Sequence, residues 1–129
     1  MQRAVQIYAA VQFIVIGLSH IIQRRAWAKF FIHLRSLGHT GTFINGFLSL
    51  IFGSIVVAFH NVWTGLPVVL TVIGWAQIVK AFVSFVFPEI GARGINRVSV
   101  ERDWEFAVGG VMFLVLAALM IVIIWRGGA

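Results

Sequence analysis

No cysteine occurs among the 129 residues, which excludes disulfides, thiolate metal ligands and cysteine nucleophiles. Acidic residues are almost as scarce. Glu89, Glu101, Asp103 and Glu105 are the only four, so no long apolar stretch holds a carboxylate in its interior. Charged residues make up 11% of the chain against 60% hydrophobic, far from the roughly quarter-charged composition of an ordinary soluble domain. A chain with so little charge has lipid as its main solvent. The stretches that need lipid consume nearly all the length, leaving no room in these residues for a soluble catalytic domain.

What is present are four apolar runs. They predict membrane spans over about 4–22, 43–59, 66–87 and 104–125, each close to the ~20 residues that a helix needs to cross ~30 Å of hydrocarbon. Helix is the expected structure throughout, because lipid offers backbone groups no other partner. A signal-peptide reading of the first run fails on its flank: Gln23-Arg24-Arg25 follows it rather than a small-residue cleavage site. The expected fold is an all-α integral membrane protein forming one domain over 1–129. Four transmembrane helices bundle together, and connections this short make sequential helices antiparallel neighbours.

Positive charge is unevenly placed. Arg24, Arg25, Lys29, Arg35, Arg93, Arg97 and Arg102 flank the spans on one side, against Arg3 and Arg126 on the other. The positive-inside rule then places both long loops in the cytoplasm and both termini outside, and so compact a span set suits a bacterial inner membrane. The net charge of +6 is read as this topology record, with anionic lipid as its partner and no nucleic acid.

Between spans one and two, residues 24–37 predict an amphipathic helix lying on the cytoplasmic surface. Trp27, Phe30, Phe31, Leu34 and Leu37 form one apolar stripe, while Arg24, Arg25, Lys29 and Arg35, with Trp27 at the lipid boundary, are the expected lipid-surface contacts. Gly38 is expected to end this helix as a left-handed residue. Ser99 is expected to cap span four, with the nearby acids complementing its dipole, and Pro67 to open span three. Residues 127–129 read as a frayed tail.

Polar residues inside spans are the places where function can be written, since each is costly in hydrocarbon. On span one, Tyr8, Ser19 and Gln23 project within about 40° of Gln12, a polar seam at 100° per residue. Adding Asn45, Trp75, Gln77 and Lys80 to Gln12 and Ser19 gives a candidate intramembrane polar site. Lys80 is the most expensive, at ~2.5–3.5 kcal/mol if held at mid-membrane. It lies about 10 Å inside the cytoplasmic end of its span, close enough for its stem to snorkel, with Glu101 and Glu105 as candidate partners. Gly46, Gly53, Gly74 and Gly110 are candidate helix-packing positions, because small residues let helices approach closely. His60 and Asn61 form a candidate contact at the outer turn, beside Trp63. The four histidines lack metal-pair spacing and carboxylate companions, so no metal site is expected.

No catalytic motif is assembled, and the expected function is non-enzymatic: an accessory or assembly subunit of a larger membrane complex, or a homo-oligomer, with other membrane helices as partners. The alternative is an oligomeric transporter or channel for a small solute or proton through the polar seam. A haem- or quinone-associated electron-transfer subunit is the third reading, although no cofactor is expected from the residues themselves.

Overall fold

The computed structural model describes residues 1–127, and the last two residues of the expected tail lie outside them. The described chain is all helical: α1 Gln2–Ile22, α2 Arg24–Ser36, α3 His39–Phe59, α4 Val68–Val86, two short helices α5 Pro88–Gly91 and α6 Arg93–Asn96, a 3-10 turn Val100–Arg102, and α7 Trp104–Trp125. Four of these, α1, α3, α4 and the helix ending at Trp125, are long and apolar enough to cross a membrane. At 21, 21, 19 and 22 residues they are each about 28–33 Å long by helical rise. Their outward faces carry large apolar side chains such as Val11, Val15, Phe47, Ile51, Val79, Val111 and Val115. Aliphatic surface of this extent is stable only against lipid or another apolar face.

The helices do not pair in simple chain order. α3 packs against α4 as expected, but α1 packs chiefly against α7, the last helix, and touches α3 far less. Two antiparallel pairs result. Each is drawn together by glycines. A Cβ on Gly110 would stand 2.5 Å from the Gly17 carbonyl oxygen, and one on Gly53 would stand 2.8 Å from that of Gly74. Backbones this close leave no space for any side chain at the crossing. Gly46 does the same lower on α3, where an added Cβ would meet Ser84 Cβ at 3.0 Å.

The pairs join at the end that carries the chain terminus and the tight α3–α4 turn, called here the turn end. There Val5, Ala9, Ala10 and Phe13 of α1 meet Val56 of α3, Leu70 of α4, and Ala117, Met120 and Ile123 of α7 in one apolar core. At the opposite, loop end, α2 straps the pairs together. Its Phe31 stacks on Phe106 of α7 at 5.6 Å, and its C-terminal carbonyl at Leu34 lies so close to Gly41 of α3 that a Cβ there would collide with it.

Two local expectations, at Gly38 and Ser99, are corrected, and one detail is added to α2. The α2 stripe is covered by the chain itself around Ala28 and Leu34, while Leu37 at its end is exposed. Gly38 has a positive φ of 63°, but with ψ −133° it is not left-handed helical; it serves α3 instead, its carbonyl accepting from the Thr42 N–H. This backbone region is open almost only to glycine. Ser99 does not cap α7. It precedes the 3-10 turn, its hydroxyl accepts from Arg102 Nε at 3.2 Å, and α7 begins after Asp103.

Candidate functional site: a buried polar node at the turn end

Where α3 ends, its last turn is followed by His60, which is completely buried. Hydrogen-bonding valence determines its state. The Thr71 hydroxyl donates to the His60 carbonyl at 2.8 Å and therefore faces the ring as an acceptor. His60 Nδ1 must then carry the proton it donates to Thr71 Oγ1 at 3.3 Å, and the Val62 N–H donates to the same oxygen at 3.0 Å. That leaves Nε2 as a bare acceptor for the Gln6 amide NH2, 3.0 Å away. The imidazole is thus neutral, with its tautomer set by its neighbours. Burial pushes its pKa below the usual histidine value, with its own backbone carbonyl partly opposing the shift.

This node spans three helices. Gln6 comes from α1, Thr71 from α4, and His60 from the end of α3, so the network ties one helix pair to the other. Gln6 is 1% exposed and Thr71 fully buried, so these bonds form away from competing solvent.

Next to the node, Asn61 Oδ1 accepts from two indoles, Trp63 Nε1 at 3.0 Å and Trp75 Nε1 at 3.3 Å. The turn is thereby fastened to α4 from its outer side. Gly65, with φ 71°, supplies the backbone reversal. His60 and Asn61 therefore do different things: one points inward and joins helices, the other points outward and holds two aromatic side chains that are themselves largely exposed.

The six residues of the intramembrane polar site are not gathered into one place. Trp75 turns to Asn61 rather than toward Gln12 and Gln77. Ser19 accepts from Trp27 Nε1 at 2.8 Å and so anchors α2. Gln77 packs into the α3–α4 crossing, its Cβ 3.0 Å from where a Gly53 Cβ would stand. Asn45 is buried on α3, Gln12 half-buried on α1, and Lys80 exposed on α4. The seam through Gln12 runs along a flank of α1, because the face that faces inward is Gln6, Ala10, Phe13 and Gly17. The sequence carried a signal for this: an apolar-and-small series at i, i+4, i+7 and i+11 that included one glutamine.

At the loop end, the basic residues divide. Arg25 and Lys29 are exposed, whereas Arg24 pairs with Asp103 at 3.6 Å and Arg35 donates to the carbonyls of Asn96 and Val98 at 3.1 and 3.0 Å. Glu105 lies 3.9 Å from Arg102, and Glu89 3.6 Å from His39. Among the described residues no ion pair reaches Lys80. His20 stacks on Trp27 at 4.3 Å and donates Nδ1–H to the Ile16 carbonyl at 2.8 Å. It sits fourteen residues along α1 from Gln6, so about 21 Å of helix rise separates it from the His60 node. Among the described residues no three histidines or carboxylates come close enough together to hold a metal ion.

No family model, curated protein or solved structure matches this chain.

Proposed function

We propose that this protein is an accessory or assembly subunit of a larger membrane complex, seated in a bacterial inner membrane with both termini outside and both long loops cytoplasmic. The orientation is supported by seven Lys and Arg residues around the loops against two at the other side. In this orientation α2 lies along the cytoplasmic surface, where Arg25 and Lys29 meet anionic headgroups. The node at His60 is then a structural lock on the outer side.

One observation carries the accessory reading. Lys80 is exposed on a spanning helix, and no carboxylate of its own chain pairs with it. A cation in a span ordinarily faces protein or water. The small-residue faces do not serve this purpose, since Gly17, Gly53, Gly74 and Gly110 are occupied within the chain. A solute path has less support, because the polar residues that would line it have separate partners and are not gathered in one place.

Extraction of the native membrane into polymer-bounded nanodiscs, followed by mass measurement, tests this. The expected particle contains the 14.3 kDa chain with a second polypeptide in fixed stoichiometry. A lone chain surrounded only by lipid overturns the reading.

A further inference from the structure

We infer that the outward face of α4 is a docking surface for a transmembrane helix of another protein that carries a carboxylate at the depth of Lys80. The inference rests on the accessory-subunit reading and specifies its partner. Exposed Val72, Trp75, Val79, Phe82 and Val86 form a continuous apolar face along α4, with Lys80 at its border. Lys80 lies six residues before Val86, so its Cα is about 9 Å inside the end of the helix.

Charge complementarity identifies the occupant. All four acidic residues of this chain lie between positions 89 and 105, beyond the end of α4. Three of them already face a basic group: Glu89 faces His39, Asp103 faces Arg24, and Glu105 faces Arg102. Glu101 is in the 3-10 turn before α7, and α7 packs on α1, in the other helix pair. A second copy of this chain therefore brings no carboxylate to the depth of Lys80; it brings another Lys80, and like charges repel in a medium of low dielectric constant. The partner is consequently a different protein. Trp75 adds shape to the surface, because its indole is held by Asn61 rather than free to rotate.

The competing account is that the lysine stem snorkels to phosphate headgroups and recognises no helix at all. The two accounts diverge when a helix is supplied. The test uses the full chain in lipid vesicles, labelled at Thr40→Cys, an exposed site in a chain otherwise free of cysteine. Dye-labelled peptides of about 20 leucine and alanine residues, carrying one Glu, one Gln or one Lys about 9 Å from one end, are titrated against it by energy transfer. The Glu peptide is expected to associate at least tenfold more tightly than the Gln peptide, a difference of about 1.4 kcal/mol. Lys80→Arg should keep this preference and Lys80→Gln abolish it, while Lys80→Glu should bind the Lys peptide instead. Equal association of the Glu and Gln peptides, or none, overturns the inference in favour of snorkelling. A peptide of residues 68–86 that binds as tightly as the Glu peptide overturns it in favour of self-association. If the peptides show no preference while the native particle still contains a second polypeptide, the accessory reading stands and the carboxylate inference alone falls.

Discussion

The two ends of this bundle are closed in opposite ways. At the turn end, three almost wholly buried side chains from three helices share hydrogen bonds, and the apolar core lies beside them. At the loop end, α2 spreads its hold over many half-exposed contacts: the Trp27–Ser19 bond, the Phe31–Phe106 stack, the Arg24–Asp103 pair and the two carbonyls under Arg35. The turn end concentrates its stability in a few atoms that have no substitute partner. The loop end distributes it over contacts that water and salt can replace.

The largest effect is expected at neither end but at the crossing on which both depend. Gly110→Val should separate α1 from α7 and cost more than the ~1–3 kcal/mol of ordinary overpacking, because the nearest blocking atom is a backbone oxygen, that of Gly17. Gly109→Val meets nothing within 4 Å and should be tolerated. Thermal unfolding in mild detergent compares the two, and equal loss in both would show that the glycine crossing is not what holds the pair.

Next is the node. Thr71→Val removes a hydroxyl that serves three groups, and buried groups left without partners cost about 1–3 kcal/mol, though interhelical bonds in membranes average nearer ~0.6 kcal/mol. A measured loss of about 1–2 kcal/mol in a denaturant titration is expected, between those two limits. No loss would place the closure of this end in the apolar core alone.

The same node should be sensitive to acid. Its folded-state pKa lies below the unfolded value of about 6.5, so folding favours neutral His60. The stability this contributes is present above about pH 6.5 and is lost as the pH falls through the lowered folded value. Melting temperature in detergent should drop from pH 7.5 to pH 5, and His60→Gln should flatten the profile. An unchanged slope in that variant would move the acid sensitivity to another group.

The smallest effect is expected from Arg24→Gln. The pair with Asp103 is partly solvated, and such pairs contribute about 0–1 kcal/mol and weaken with salt. A loss well above ~1 kcal/mol that salt does not reduce would mean that the loop end is as concentrated as the turn end.

These differences also explain what could be read from residues alone. Hydropathy and helix length reveal the four spans because lipid imposes one rule on every residue of a span. α2 was legible from the spacing of Trp27, Phe31 and Leu34, but not the fact that Phe106 and Leu34's neighbour Gly41 cover its face. His60 and Asn61 stood out as polar residues at a turn, yet Gln6, the partner of His60, lies 54 positions away. Nothing local marks such a pairing. Gly17 is illegible for a similar reason: its role depends on Gly110, and the pairing of α1 with α7 is not written in either segment. The position of Trp75 in its run gives its height, but nothing local shows that Asn61 holds its indole.

The pairing of α1 with α7 has a consequence for how the protein is made. α3 and α4 emerge in succession and can close on each other at once, whereas roughly 80 residues must be translated between the end of α1 and the start of α7, a wait of about 4–16 s at 5–20 residues per second. Throughout that interval the Gly17 face of α1 has no Gly110 to close against. α1, made before α3, α4 and α7, is therefore among the last of the four to be sheltered, and the insertion machinery or a neighbouring membrane protein must tolerate its open glycine face for that time.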